Sequence, residues 1–233
     1  MTPVTRPSCR DARPTTRYNS SMKRRIGWQD QLIAAADQAL RSLTGPTRAS
    51  RPSPADGLSD VTLTAKERRT SSALMRVNHA GEIAAQALYS GQSVMARSAR
   101  TRDYLLQAAD DEQDHLAWCA QRIVELDGRR SLLDPAWYAG SFLLGVLAGS
   151  AGDRVSLGFI AETESQVEAH IQDHLNRLPL TDIKSKAILD TMATDEAHHG
   201  TTARLCGGIS LPRPVRSLMA LGGGLLRRTA LWA

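Results

Sequence analysis

Asp111-Glu112-Gln113-Asp114-His115 and Asp195-Glu196-Ala197-His198-His199 are two copies of one pattern, Asp-Glu-x-x-His, and each follows a lone glutamate, Glu82 and Glu164, by about thirty residues. On a helix, positions i and i+3 share a face, so the Glu and His of each copy point toward the same place. One Glu from each of two helices and a Glu-x-x-His from each of two others is the ligand inventory with which helical bundles hold a pair of metal ions. The chain supplies that set once, as Glu82, Glu112, His115, Glu164, Glu196 and His199.

The spacing tests this reading. In an antiparallel helix pair, residues equidistant from the turn lie at the same height, so paired ligands should be centred on a helix breaker. Glu82 and Glu112 are centred on residue 97, at the edge of the polar run Arg97-Ser98-Ala99-Arg100-Thr101-Arg102-Asp103. Glu164 and Glu196 are centred on residue 180, beside Pro179, which should end a helix. The pattern predicts two hairpins and an all-α fold.

Facing gives a second test, at about 100° per residue. Leu105, Ala108, Ala109, Leu116, Cys119, Ile123 and Leu126 form an apolar stripe that includes Glu112 and His115. In the third helix Ile160, Val167, Ile171, Leu175 and Leu178 mark the inward side, and Glu164 lies nearer its centre than Glu168, while Glu162 points away. In the fourth, Leu189, Met192, Ala193 and Ala203 place Glu196 and His199 inward and leave His198 to solvent. Four buried carboxylates with only two histidines as counter-ions would cost several kcal/mol per unpaired ion. Two divalent cations with neutral imidazoles balance them.

Oxygen and imidazole ligands without thiolate suit iron or manganese better than zinc or copper(I). Asp111 and Asp195 each precede a motif Glu and can hydrogen-bond the second nitrogen of the ligand His in the opposite motif, as outer partners of metal ligands do. His79 reads as a satisfied core histidine, and His170 and His174 fall off the centre of their stripe, outside the ligand set.

A chain of 233 residues, 42% hydrophobic and 23% charged, fits one globular domain. Its three cysteines, Cys9, Cys119 and Cys206, offer neither a disulfide framework nor a Cys-x-x-Cys knuckle. The net charge of +5 raises nucleic acid or anionic lipid as partners. Only 4% of residues are aromatic and no nucleic-acid motif is visible, so no nucleic acid is expected.

Residues 1–21, rich in Thr, Ser, Pro and Arg, read as a disordered extension, and Met22-Lys23-Arg24-Arg25 as the opening of an alternative start. Residues 22–60 hold a predicted helix from Trp28 to Leu43 and a Pro- and Gly-containing linker. Residues 61–210 form the four-helix bundle, with its crossover at 128–153, and residues 211–233 an amphipathic, membrane-associating segment. The crossover carries an uncharged run, 137–152, short and glycine-interrupted for a bilayer span. It fits a helix packed on the bundle, or one dipping into the membrane surface with Trp137 and Tyr138 near the headgroups. At the C-terminal end, apolar residues beside Arg213, Arg216, Arg227, Arg228 and Trp232 look like an interfacial anchor.

Arg76-Val77-Asn78-His79-Ala80-Gly81-Glu82, the two Asp-Glu-x-x-His motifs, and Glu162-Thr163-Glu164 with Val167-Glu168-Ala169-His170 resemble the demethoxyubiquinone hydroxylase family of ubiquinone biosynthesis. The likeness runs over residues 63–221, with a weaker stretch at 26–43. The ordered spacings of 30, 3, 49, 32 and 3 from Glu82 to His199 are more specific than any one motif. The resemblance implies a membrane-associated, ferritin-like di-iron monooxygenase. It implies one iron on Glu82 and His115, a second on Glu164 and His199, and bridging by Glu112 and Glu196. The implied substrates are O2 and a polyprenylated methoxy-methyl-benzoquinol, with an unidentified electron donor and other ubiquinone-biosynthesis proteins as further partners. The implied place is the cytoplasmic face of a bacterial membrane, ahead of the mitochondrial inner membrane. A storage or peroxide-removing ferroxidase with the same six ligands is the alternative, because fold alone does not fix chemistry.

Overall fold

The computed structural model describes residues 37–40, 42–43, 49–59 and 61–232. The extension 1–21, the second start at Met22 and most of the helix expected at 28–43 lie outside the described residues.

Among the described residues six long helices follow one another: α1 (Ala65–Met95), α2 (Ala99–Glu125), α3 (Asp134–Ser150), α4 (Asp153–Arg177), α5 (Ile183–Leu205) and α6 (Arg213–Ala230). Among the described residues there is no strand. Thr64 opens α1 with a capping box, its hydroxyl accepting from the Glu67 amide while the Glu67 carboxylate accepts from the Thr64 amide. Ser98 and Asp182 cap α2 and α5, and Pro135 and Pro214 sit in the first turns of α3 and α6. The breaks at residues 96–98 and 178–182 fall where the ligand spacing centres both hairpins.

The core has two apolar halves. One gathers Leu74 and Met75 of α1, Trp118 and Ile123 of α2, Ile171 of α4 and Ile188, Leu189 and Met192 of α5. The other gathers Leu88 and Tyr89, Leu105 and Ala108, Leu157 and Ile160, and Ala203 from the same four helices. On every helix the six acidic and imidazole residues fall between the two groups in sequence. The helices therefore carry one polar layer, sealed above and below by hydrocarbon.

The crossover is the helix α3, which packs chiefly on α1. The approach depends on missing side chains. A Cβ on Gly91 would strike the Phe142 carbonyl oxygen, one on Gly145 the Leu88 carbonyl oxygen, and one on Gly149 would lie 2.8 Å from the Met95 Cβ. Gly152, at φ 105°, then turns the chain into α4. Trp137 packs with Val77 and Ala80, and Tyr138 with Ile83 and Leu116, so both rings face the bundle rather than a membrane surface. The large apolar residues that α3 exposes are Leu143, Leu144 and Leu147. Among the described residues no helix is long and apolar enough to cross a membrane. Gly145→Leu should separate α1 from α3 and lower stability by about 1–3 kcal/mol, the usual cost of overpacking; the denaturant midpoint measures it.

Residues 49–59, expected as part of a linker, lie against the bundle. The Ser50 amide donates to Asp114 Oδ1 at 2.6 Å, and Arg51 Nε pairs with Asp114 Oδ2 at 2.7 Å. The Arg51 guanidinium also lies 4.8 Å from the Trp118 ring centroid. Cys119 is a free, buried thiol.

Candidate metal centre

The four core helices bring Glu82, Glu112, His115, Glu164, Glu196 and His199 together, each at 8% exposure or less. Ligand atoms of Glu82, Glu112, His115 and Glu196 all lie within 4.8 Å of one another, and so do those of Glu112, Glu164, Glu196 and His199. Glu112 and Glu196 belong to both groups. His115 Nδ1 is 2.9 Å from Glu112 Oε2, 3.1 Å from Glu196 Oε1 and 3.8 Å from Glu82 Oε2. His199 Nδ1 is 3.5 Å from Glu112 Oε1 and 3.7 Å from Glu196 Oε2. Glu168 and Glu162 are only half-buried, and His198 is exposed.

The outer nitrogens face the other motif's aspartate. His115 Nε2 lies 3.0 Å from Asp195 Oδ2, and His199 Nε2 lies 3.4 Å from Asp111 Oδ2. Such partners fix the tautomer and leave Nδ1 to face inward.

These residues fit divalent metal. Glu112 Oε1, Glu164 Oε2, Glu196 Oε1 and His199 Nδ1 are buried without a hydrogen-bond partner among the described residues. Burial, then the neighbouring carboxylates Glu112 and Glu196 respectively, pushes Glu82 and Glu164 well above the usual carboxylate range. Burial opposes charge on His115 and His199, yet the carboxylates and aspartates around them hold both well above the usual imidazole range. Protons thus supply the positive charge that the buried carboxylates need, at the positions where cations would supply it. The buried Glu and His groups can hold metal ions.

With that geometry, the relatives of the chain become informative. Residues 69–222 match the family described as ubiquinone biosynthesis protein COQ7. The chain belongs to the COQ7 family. It is similar, at 55% identity over 203 residues, to the 3-demethoxyubiquinol 3-hydroxylase of Cupriavidus metallidurans, covering 86% of this chain and 98% of that protein. The proteins of the same name from Nitrosomonas eutropha and Verminephrobacter eiseniae are 51% and 52% identical, covering 87% and 86% of this chain and 98% and 97% of those proteins.

This COQ7-family chain surrounds the six residues with groups that motif reading missed. Tyr89, fully buried, donates its hydroxyl hydrogen bond to Glu164 Oε1. The Tyr104 hydroxyl donates to the His199 carbonyl oxygen at 3.0 Å. Arg51 Nη2 pairs with Asp195 Oδ2 at 2.8 Å, the same oxygen that meets His115. No periodicity marks Arg51, because it lies in a proline-rich stretch outside the helices. The available signal was Asp114, a carboxylate within the inward motif that needed a cation.

His79 differs from its expected satisfied state. It is buried, with Nδ1 3.4 Å from Asp134 Oδ2, and neither ring nitrogen has a hydrogen bond among the described residues. His174 instead meets the Asn78 amide at 3.1 Å, and burial, then His170, holds it down to about 3, so it is neutral.

Replacing Arg51 with Ala removes the charge that steadies Asp195 and leaves His115 Nε2 with a loosely held partner. Metal affinity should fall about 10–100-fold, as for other outer-partner losses. Competition with a metal-ion chelator measures it. Arg51→Lys should recover only part, since an ammonium lacks the fork that reaches Asp114 and Asp195 together.

Proposed function

We propose that this chain is a 3-demethoxyubiquinol 3-hydroxylase, a di-iron monooxygenase of ubiquinone biosynthesis. The observation that carries the reading is the pair of buried Glu and His groups sharing Glu112 and Glu196, in a chain 55% identical to a hydroxylase of that name. Glu82 and His115 would hold one iron, Glu164 and His199 the other, with Glu112 and Glu196 between them. Two iron ions, when bound, supply the two-electron activation of O2. The net reaction places one oxygen atom on a quinol ring carbon in place of hydrogen and releases the other as water, with two electrons and two protons from a donor.

The chain's own residues prepare that step. The two apolar core halves exclude water from the polar layer, which strengthens every charge interaction within it. Asp195 and Asp111 orient His115 and His199 through Nε2. Tyr89 holds one oxygen of Glu164 and leaves Oε2 unpartnered. Glu112 and Glu196, each within reach of both histidines, keep the two halves of the site in register.

The substrate's polyprenyl tail calls for a lipid surface. On α6, Leu218, Leu221 and Leu225 are exposed and, at about 100° per residue, fall within an arc of about 60°, with Trp232 exposed in the turn just past the helix. The opposite side of α6 seats Leu226 and Ala230 on Val77 and Ala80 of α1, where Trp137 of α3 also packs. The two helices that each expose three leucines, α3 and α6, are therefore both seated on α1. This supports a peripheral protein on the cytoplasmic face of a bacterial membrane, with the electron donor and other pathway proteins reaching it there.

Conversion of demethoxyubiquinol to the hydroxylated quinol by the iron-loaded protein in lipid vesicles tests the reading. Leu218→Ser/Leu221→Ser/Leu225→Ser should shift the protein from vesicles into solution and raise the KM for a long-tailed quinol while sparing a short-tailed one. Equal losses on both substrates would place α6 in folding rather than in access.

A further inference from the structure

A second concentration of charge lies outside the metal centre. At the end of the bundle opposite the 96–98 turn, the start of α1 and the turn after α2 enclose a cleft of about 690 Å3, lined by Arg68, Arg69, Arg76, Arg129, Asp127 and Ser72 among others. Four guanidinium groups face one carboxylate, and that carboxylate pairs with Arg68. Among the described residues the Arg69 and Arg129 side chains have no hydrogen bond or ion pair.

The arrangement is built rather than loose. Arg76 Nε donates to the Arg129 carbonyl oxygen at 2.7 Å, and Arg76 Nη1 donates to the Leu231 carbonyl oxygen at 3.2 Å. The cleft is thereby fixed against the end of α6. Ser72 is 5% exposed, and its hydroxyl has no hydrogen-bond partner. A Cβ on Gly128 would collide with that hydroxyl, so the turn closes tightly over it. Burial and the nearby Arg129 charge both disfavour the cationic form of Arg76.

Gathering like charges costs free energy that an anion would return. Guanidinium forks match phosphate oxygens two at a time, and an unpartnered hydroxyl adds a neutral donor. We propose that this cleft binds a phosphate group, contributed either by an anionic phospholipid headgroup or by a soluble phosphate ester or anhydride. Arg69 and Arg129 grip the group from solvent, Arg76 from within, and Ser72 closes the buried side. The assignment is independent of the metal centre and of the reaction there.

The test compares the full-length chain with Arg69→Gln/Arg129→Gln and with a control of equal charge, Arg100→Gln/Arg154→Gln, at the other end of the bundle. Pyrophosphate titration by calorimetry reads soluble phosphate. Flotation with phosphatidylcholine vesicles containing phosphatidylglycerol, against vesicles of the same charge containing oleate, reads headgroup phosphate. The cleft variant should bind at least tenfold more weakly than the control in one readout or the other. Loss of preference for phosphatidylglycerol over oleate assigns the headgroup; loss of pyrophosphate binding alone assigns the soluble source. Indistinguishable cleft and control variants in both readouts overturn the proposal, because the arginines would then act only through net charge.

Discussion

Glu112→Ala should empty both halves of the metal centre, whereas Glu82→Ala should spare the half built on Glu164 and His199. The difference arises because Glu112 belongs to both ligand groups and Glu82 to one. Removing Glu112 also leaves His115 without its 2.9 Å carboxylate and His199 without its 3.5 Å one, so both imidazoles lose their orientation. Hydroxylation should fall beyond the about 10–100-fold expected for outer-partner changes such as Arg51→Ala. Iron analysis of the purified variants, beside turnover, separates the cases. Equal iron in the Glu112 and Glu82 variants would mean that Glu112 is not shared. Glu196→Ala should behave like Glu112→Ala, since Glu196 occupies the equivalent shared position.

Metal removal should lower stability strongly, and by more as the pH rises through neutrality. In the metal-free protein, Glu82 and Glu164 are raised by burial and by their carboxylate neighbours. His115 and His199 are raised despite burial, by the acids around them. Above about pH 6.5 the unfolded chain has released protons from glutamate and histidine that the folded protein still holds. The folded state binds more protons, so stability falls with rising pH, by about 1.4 kcal/mol per pH unit for each extra proton. Glu196 and Asp195 are lowered, against burial, by hydrogen bonds with His115, and Glu112 is held below its usual range by the same imidazole. Their stabilisation is present above the unfolded carboxylate value and is lost on acidification, so it leaves the neutral window unchanged.

Metal replaces those protons, and its affinity therefore rises with pH. At a thousandfold excess over its Kd, each bound ion stabilises by about 4 kcal/mol. The gap between loaded and metal-free unfolding midpoints should widen from pH 6 to pH 8. Midpoints measured with and without Fe(II) under anaerobic conditions check this, and a constant or shrinking gap would mean that the raised groups are not the ones that take the metal.

The helical hairpins were legible because two constraints coincide on the same residues. Glu82 with Glu112, and Glu164 with Glu196, had to be symmetric about a breaker and had to fall inside an apolar stripe. The turns at 96–98 and 178–182 satisfy both. Glu164 and Glu168 lie about one turn apart along the helix but about 40° apart around it, and that phase, which favours Glu164, matches their difference in burial. The crossed contacts of Asp111 with His199 and Asp195 with His115 followed from antiparallel pairing of the two motifs.

What was not legible lies outside periodic pattern. Arg51 reaches the site from an irregular strap, and only the demand of Asp114 and Asp195 for a cation points to it. Trp137 and Tyr138 carry polar tips suited to an interface, but their rings fill the space over α1, with Tyr138 also reaching Leu116 of α2. Glycine spacing in the uncharged run signalled interruption, whereas Gly145 and Gly149 serve close packing on α1. Tyr89 carries no signal in the sequence, since its hydroxyl partner sits on another helix, 75 residues away.

The central claim is that the two shared-carboxylate groups activate O2 for insertion into a quinol ring. Its most direct test is a single turnover of the iron-loaded, reduced protein with a short-tailed demethoxyubiquinol in 18O2, read by mass spectrometry. The account predicts one 18O in the new ring hydroxyl and no such product from the Glu164→Ala variant. Rapid oxidation of the iron without labelled quinol would contradict it and would assign the same six residues to a ferroxidase.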